Sequence, residues 1–397
     1  MNVSQIPFSK PPGGVLARGL AVALLLSPVA ATVCQAAGTV VGWGANYDGQ
    51  RTPPPGTTNV TAVAAGASHS AALKSDGTVV AWGFNVSGQT NVPAGLSGVA
   101  AIAAGASYTL ALQSNGTLVA WGSLPAAPAA ASNVTAVAGG WYHALALRSD
   151  GTVVSWGSTA DVPSWLGNVT AIAAGNGQSV ALLNDSTVVA WGDNTYGKTN
   201  VPAGLSNVVA VAAGADHCLG LRRDGTAVGW GRNDLGQATV APALNNLVAV
   251  KGGALHSLVL RGDGTMVAWG DNTYGQTNTT AGDAGYIGIA AGGYHNLAIK
   301  GDGTPFILLQ PASQSVFISK SVTLQVVANG AQPLAYQWYH YGTNLPTATN
   351  ATLALNNVQA RDGGPYYVVV ANTFGQATSA TALINAVGGV PVVVTPP

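Results

Sequence analysis

Short apolar runs separated by polar turns recur along residues 38–304. In one unit, an Ala-rich run such as VVAVAAG at 208–214 is followed by a second run, an Asp-Gly-Thr turn and a third run that ends in Trp-Gly. These runs are rich in Val, Ala and aromatic residues, which is typical of β-strands. An Asp-Gly pair between two such runs predicts a type I′ hairpin. Because no segment keeps helical periodicity over three turns, the pattern predicts an all-β protein.

The Trp-Gly pair recurs seven times, at spacings of 39, 39, 35, 35, 39 and 39 residues. A unit of this length with about four short strands has the size of one propeller blade. We therefore predict a seven-bladed β-propeller over residues 38–304, with Ala and Gly near the crowded axis. Farther out, where blades diverge, a large flat ring fills the gap, so we expect a structural role for Trp43, Trp82, Trp121, Trp156, Trp191, Trp230 and Trp269.

The phase of the repeat predicts how the ring closes. The last turn, at 302–304, has no Trp-Gly strand after it, whereas residues 38–44 form such a strand without a preceding hairpin partner. We expect residues 38–44 to complete the blade built from residues 286–303. That closure joins the two ends of the repeat region and leaves no open sheet edge.

The repeats stop near residue 305, and residues 305–387 resemble an immunoglobulin-like β-sandwich. Trp338 matches the buried tryptophan of that fold and Tyr366 matches its tyrosine corner. Val326 and Val368 take the two cysteine positions, so we expect apolar packing in place of the disulfide. Such domains are commonly spacers or adhesion modules, and residues 388–397 are interpreted as a linker or tail.

Residues 1–36 have the order of a secretory signal. Lys10 and Arg18 precede the apolar run GLAVALLL at 19–26, and small residues follow as far as Ala36. The run is shorter than the ~20 residues that a membrane span needs. We predict a secreted or cell-envelope protein without a transmembrane segment in the mature chain, in which Cys218 is the one remaining cysteine.

The charged residues of the chain argue against two classes of function. The chain has 14 basic and 14 acidic residues, and every acidic residue is Asp. This balance argues against a nucleic-acid partner, which would call for a basic excess. The absence of Glu argues against a helical enzyme, whose exposed helix faces would carry it.

The unit VVAWGDNTYG at 188–197, the related MVAWGDNTYGQTN at 266–278 and the Ala-Ala-Gly-x-x-His strand resemble the regulator of chromosome condensation repeat. The short spacing is most similar to the secreted bacterial branch, which includes the β-lactamase inhibitory protein II type. The resemblance implies a protein-binding propeller rather than an enzyme. The eukaryotic namesake is a nucleotide-exchange factor for a GTPase, a role that the signal segment and the neutral charge argue against here.

Aromatic residues in the loops depart from the repeat and are our candidates for partner binding, because surface aromatic clusters are typical anchors. The alternative is that they pack on their own blades. The candidates are Tyr47, Phe84, Trp141, Tyr142, Trp165, Tyr196, Tyr274 and Tyr294. The expected partner is a protein or a cell-surface glycan, and we expect a monomer without cofactor or metal.

The sequence gives weaker support for a metal site or a catalytic site. One strand position holds a histidine in five units, whereas Tyr108 and Gln178 fill it in the other two; this mixture favours structural hydrogen bonds over a metal site. The five are His69, His143, His217, His256 and His295. The carboxylates nearest to a catalytic arrangement are Asp193, Asp234 and Asp271. Two alternatives therefore stay open: a secreted glycan hydrolase or lyase, favoured by an Asp, His and Arg cluster at one channel mouth, and an inhibitor of a secreted enzyme such as a β-lactamase.

Overall fold

A computed structural model describes residues 37–158, 161–279 and 283–388. The predicted signal segment and all but the first residue of the predicted tail lie outside these ranges. The described residues contain strands and two short 3₁₀ turns, Thr195–Gly197 and Ala360–Asp362, and no α-helix, so the all-β prediction is confirmed. None of these residues forms a helix long and apolar enough to cross a membrane.

The repeat region contains strands β1 to β21. In chain order their bounds are Gly38–Gly44, Val60–Ala65, His69–Lys74, Val79–Gly83, Val99–Ala104, Tyr108–Gln113, Leu118–Gly122, Val134–Gly139, His143–Arg148, Val153–Gly157, Val169–Ala174, Gln178–Leu183, Val188–Gly192, Val208–Ala213, His217–Arg222, Ala227–Gly231, Leu247–Gly252, His256–Arg261, Met266–Gly270, Tyr286–Ala291 and His295–Gly301. Successive strands form antiparallel three-stranded sheets, from β5–β6–β7 to β17–β18–β19. This is the repeated sheet arrangement of a propeller.

The remaining strands of the ring form the sheet β20–β21–β1–β2–β3–β4, in which β1 and β2 meet only at the pair Gly38–Val60. Strand β1 pairs along its whole length with β21, from Gly38 opposite Gly301 to Gly44 opposite His295. The predicted closure is therefore confirmed. The first and last segments of the repeat region share one three-stranded unit.

Two local predictions need correction. We expected about four strands in each unit, but three form, because the segment after each Trp-Gly strand carries turn residues such as Gly88 and Pro93. We also expected type I′ hairpins, yet Gly77 has a positive φ and Asp76 does not. The Asp76 carboxylate instead accepts hydrogen bonds from the backbone N–H and hydroxyl of Thr78, at 3.0 and 2.6 Å. These bonds stabilise a turn in which the φ of Asp76 is negative.

The tryptophans of the Trp-Gly strands fill the gaps between sheets. Trp121 packs with Leu73 and Val79 of the preceding sheet, and Trp191 packs in the same way on the sheet β8–β10. The indole N–H of Trp121 donates to the carbonyl of Gln89 at 2.9 Å. Five of these rings are buried, whereas Trp43 and Trp269 are half-buried.

The connections of each unit lie on two opposite ends of the ring. The Asp-Gly-Thr turns lie on one end, which we call the turn face. The loops between first and second strands, and the first residues after the Trp-Gly strands, lie on the other, the loop face. Within a unit the two loops are joined, as where the N–H of Phe84 donates to the carbonyl of Ser68 at 2.9 Å. The Ala-rich first strands line an axial lumen of about 250 Å³ between the faces.

The second domain contains strands β22 to β31, with bounds Phe306–Leu309, Gln314–Phe317, Val322–Gln325, Val327–Asn329, Ala335–His340, Thr343–Asn344, Thr352–Leu355, Gly364–Asn372, Gly375–Thr378 and Ala382–Val387. Its main sheet has the order β23–β31–β29–β26–β27, and β24 pairs with β28. Trp338, Val326 and Val368 are buried in its core. The Tyr366 hydroxyl donates to the carbonyl of Asp362 at 2.8 Å, which is the bond of a tyrosine corner.

This immunoglobulin-like domain contacts the turn face. Phe306 and Leu308 belong to the same buried cluster as Leu260 of the ring. The Asn372 side-chain amide donates to the carbonyl of Gly303, in the last turn, at 2.8 Å. The loop face therefore lies on the far side of the ring from the second domain.

Candidate binding site on the loop face

Three tyrosines from two adjacent units meet on the loop face. The rings of Tyr47 and Tyr274 are 5.6 Å apart and edge-on, and those of Tyr274 and Tyr294 are 5.3 Å apart. Their exposed fractions are 79% for Tyr47, 39% for Tyr274 and 36% for Tyr294. We call these residues the tyrosine triad. Ring closure brings Tyr47 beside Tyr294, because the N–H of Ala45 donates to the carbonyl of Tyr294 at 2.8 Å.

Two of the three connections that carry the triad, those of Tyr47 and Tyr274, are held in place by buried glutamines. The Gln276 side-chain oxygen accepts the backbone N–H of Tyr274 at 2.8 Å, and its amide donates to Asp271 at 2.8 Å. In the related loop, the Gln50 side chain accepts the N–H of Asp48 at 2.9 Å. Both glutamines are buried. The triad is therefore presented on ordered loops, which lowers the entropy cost of binding.

A charged cluster lies on the loop face in two other units, those of β11–β13 and β14–β16. Lys198 is 1% exposed, and its ammonium contacts Asp193 at 2.8 Å and Asp216 at 2.9 Å. Arg232 contacts Asp234 at 2.7 Å and Asp216 at 3.6 Å. We use the name charged cluster for these five residues. Lys198 also donates to the carbonyl of Asn176 at 2.7 Å, so its buried charge is fully paired.

The cluster also holds an exposed aromatic ring. The Arg232 guanidinium lies 4.9 Å from the centre of the Tyr196 ring, a cation–π contact. The hydrogen bond from Lys198 lowers the pKa of Asp193 to about 2, and the one from Arg232 lowers the pKa of Asp234. Both carboxylates are thus hydrogen-bond acceptors over the physiological pH range and cannot serve as acids.

The other predicted residues are spread more widely. Tyr142 is exposed, and its ring lies 6.4 Å from that of half-buried Trp141 on the loop face of the unit β8–β10. Phe84 is half-buried. Trp165 is exposed but precedes by three residues Asn168, whose carbonyl accepts an N–H from the turn at 184–187, so it lies nearer the turn face. The structure therefore groups the triad and separates Trp165 from it.

Sequence reasoning missed Lys198 and Arg232. A signal was present for Lys198, because related loops carry glutamine at that position, namely Gln50, Gln89, Gln237 and Gln276. Asp216 is likewise the only acidic residue at the position before the repeated histidine. No comparable signal marked Arg232.

The repeated histidines join neighbouring units. Each is buried, and its Nε2 bonds a polar side chain of the next unit at 2.8–3.0 Å; the pairs are His69–Thr109, His143–Ser179, His217–Ser257, His256–Asn296 and His295–Ser70. In two units the next unit has no such polar partner. Tyr108 takes the histidine position where the next unit has Ala144, and it donates to the carbonyl of Gly140. Gln178 takes that position where the next unit has Cys218, and it donates to the carbonyl of Gly214. The residue at the histidine position therefore changes together with the side chain that the next unit places opposite it. Among the described residues, no group of three or more His, Cys or Asp side chains could hold a metal ion.

The protonation of these histidines follows from their partners. The hydroxyls of Thr109, Ser70 and Ser257 donate to backbone carbonyls, so they must accept from the histidine Nε2–H. The Nδ1 atoms then carry no proton, and they have no hydrogen-bond partner among the described residues. Burial lowers the pKa of His69 and His143 to about 4, and of His217 and His295 to about 3.

Cys218 lies on the other side of its strand from His217. It packs with Val180 and Leu182 of the preceding sheet, whereas His217 reaches the following one. Burial raises the pKa of its thiol to about 12. A Cys–His nucleophile is therefore absent from this position.

The repeat units match a known family. The family described as "Regulator of chromosome condensation (RCC1) repeat" matches residues 60–89, 134–160, 169–198, 208–237 and 247–276. This chain carries RCC1 repeats. Residues 304–372 match the family described as "Immunoglobulin domain". The molecule is thus an RCC1-repeat propeller followed by an immunoglobulin-like domain.

Solved structures of several other proteins share the propeller fold. Prp20p from Saccharomyces cerevisiae is 19% identical over 66% of this chain and 91% of its own, with a TM-score of 0.57. A structure of Kap60 bound to yeast RCC1 (Prp20) gives 18% identity, 76% and 97% coverage and a TM-score of 0.60. The ectodomain of the Arabidopsis thaliana receptor kinase ACR4 gives 22% identity, 63% and 92% coverage and a TM-score of 0.54. At these identities the likeness shows the fold alone.

Proposed function

We propose that this RCC1-repeat protein is a non-catalytic binding protein that recognises a protein partner through its loop face. The tyrosine triad is the observation that carries the proposal. Exposed tyrosines in mutual contact, with the stacked pair Tyr196 and Arg232 on the same face, are the residue types that dominate binding energy at interfaces. Their ordered loops supply the preorganisation that such an interface needs.

The position of the second domain supports this use of the loop face. The immunoglobulin-like domain contacts the turn face, so it can act as a spacer or adhesion module while the loop face stays open. We propose that the protein is located outside the cell or in the envelope, on the strength of the signal-like residues 1–36, and that it acts as a monomer. Protein partners also fit the fold, since yeast Prp20p, which shares it, has binding properties to Gsp1p and histones.

A glycan hydrolase or lyase is the rival, and the charged cluster is where it would act. Glycan hydrolysis needs one carboxyl group with a raised pKa as general acid. Asp193 and Asp234 have lowered pKa values, and both are paired with cations. The cluster contains no histidine. It therefore favours polar recognition over acid catalysis.

The proposal is tested with a matched pair of triple variants. Immobilised wild type and a Tyr47→Ala/Tyr274→Ala/Tyr294→Ala variant are exposed to proteins of the producing organism's envelope and medium, and captured proteins are quantified. The control variant removes three exposed aromatics outside the loop face, by Trp165→Ala/Phe317→Ala/Tyr341→Ala. We expect a captured protein that the triad variant loses and the control keeps. Equal capture by all three proteins would contradict the proposal, and inhibition of a β-lactamase panel at micromolar protein would instead identify an inhibitor.

A further inference from the structure

The axial lumen contains one residue that breaks the repeat. The first strands β2, β5, β8, β11, β14, β17 and β20 pair in equivalent register with their second strands, as in Ala64 opposite Ala71 and Lys251 opposite Leu258. Six strands place alanine at this level of the lumen, namely Ala64, Ala103, Ala138, Ala173, Ala212 and Ala290. The seventh residue is Lys251. A single amine therefore stands in a ring of methyl groups.

The Lys251 amine has no counter-ion. Among the residues that the structure describes, it makes no ion pair or side-chain hydrogen bond, and no carboxylate lines the lumen. Strand β18 covers one edge of its strand, so the half-buried side chain gains its exposure from the lumen. Burial lowers its pKa, since a charge enclosed by protein is costly unless it is paired.

The lumen wall beside the amine is formed by small and aliphatic residues. The first strands around the lumen contribute Val63, Ile102, Val137 and Ile289, among other aliphatic residues; Val63 is half-buried, whereas the other three side chains are buried in the clusters between sheets. The loop-face rim is formed mainly by alanine and glycine, and Trp141 is its one large side chain among the described lining residues. A volume of about 250 Å³ lies just below the range of pockets for drug-sized ligands. The lumen thus suits a small molecule with an apolar body and one negative charge.

We propose that the lumen binds a small organic anion, a monocarboxylate with a short aliphatic chain. Its carboxylate pairs with the Lys251 ammonium, and its chain contacts the aliphatic walls. The pairing supplies the counter-ion that the fold itself does not provide. The six alanines leave the space that the ligand occupies.

Isothermal titration of the full chain with sodium hexanoate, at constant ionic strength, tests the proposal. We expect one saturable site, with affinity reduced at least about tenfold in Lys251→Met, which keeps an unbranched side chain one atom shorter and removes its charge. Hexan-1-ol and hexylammonium, which share the chain and lack the carboxylate, should bind at least about tenfold more weakly than hexanoate. Lys251→Ala, which copies the other six units, replaces the Met variant if that variant fails to fold.

A relocation variant separates the amine from its surroundings. Lys251→Ala/Ala212→Lys moves the amine to the same level of the preceding unit, and we expect it to regain hexanoate binding that Lys251→Ala alone lacks. The proposal is overturned if wild type shows no hexanoate binding, if Lys251→Met binds as wild type does, or if hexan-1-ol binds equally well. Failure here leaves the loop-face proposal intact, because the triad is not part of the lumen.

Discussion

Acid should unfold the propeller through the buried histidines that join its units. In the folded chain these rings are neutral, with pKa values of about 4 for His69 and His143 and about 3 for His217 and His295. In the unfolded chain each has a pKa near 6.5. Between these values the unfolded state binds more protons, so stability falls as the pH falls from neutrality.

The magnitude follows from the unfolded pKa. From pH 6.5 to pH 5 an unfolded histidine takes up its proton while the folded one does not, which costs about 1.4 kcal/mol per pH unit, or about 2 kcal/mol per histidine. This loss of stability per histidine hardly depends on the pKa in the folded chain, as long as that pKa lies near 4 or below. The four histidines together then lower the free energy of unfolding by about 8 kcal/mol, a large share of the ~5–15 kcal/mol that stabilises a typical domain.

The chain itself supplies the variant that tests this reasoning. His217→Gln/Ser257→Cys copies the Gln178 and Cys218 pair that another unit uses at the same position. We expect its loss of unfolding free energy between pH 7 and pH 5, from urea titrations followed by tryptophan fluorescence, to be smaller than that of wild type by about 2 kcal/mol. Ser257→Cys alone keeps the histidine and should keep the full loss. A wild-type stability that is flat over this range, or a double variant with unchanged pH dependence, would refute the account.

Three further predictions concern packing and charge. Trp191→Ala should cost about 3–5 kcal/mol in denaturant unfolding, because the ring is buried between two sheets; a cost under 1 kcal/mol would contradict that packing. Deletion of residues 38–44 should lower the melting temperature of the whole ring, since β1 is the pairing partner of β21, and an unchanged temperature would argue against closure. Lys198→Gln should raise the carboxyl pKa of Asp193 toward its ordinary value, as read from NMR titration, because Lys198 is the main cause of its lowering. An unmoved Asp193 pKa would assign that lowering to Thr195, which also donates to it.

The framework was predictable because it is repeated. Each copy of the Trp-Gly strand adds evidence for the same packing role, and the strand at 38–44, which has no hairpin partner before it in the sequence, indicates the closure. The outer strand was overpredicted, because the polar segment after Trp-Gly pairs through side chains such as those of Asn85 and Asn91 rather than through a ladder. The hairpin type was wrong because the Asp76 side chain, which a dipeptide rule ignores, stabilises a different turn.

The candidate site was only partly predictable, because its contacts join residues remote in sequence. That Tyr47 and Tyr294 lie together depends on closure, and that Tyr274 touches both depends on the side-chain directions of two loops. Trp165 is aromatic and exposed in the same way but has the wrong position along its connection. Composition could therefore select aromatic candidates, while only the folded ring could show which of them share a surface.

Some residues that differ from the repeat consensus are matched by a second changed residue that pairs with them, and others are not. Lys198 replaces the glutamine of the related loops, and Asp216, the only acidic residue at its own repeat position, pairs with it at 2.9 Å. The five histidine pairs obey the same logic, since each exception at that position is matched by a changed partner. Such compensated departures preserve the fold. Lys251 replaces alanine without any matching acidic residue among the described residues that line the lumen, and the tyrosine triad adds side chains that remain 36–79% exposed. Because nothing within the described chain balances them, these two departures are the ones that we assign to molecules outside it.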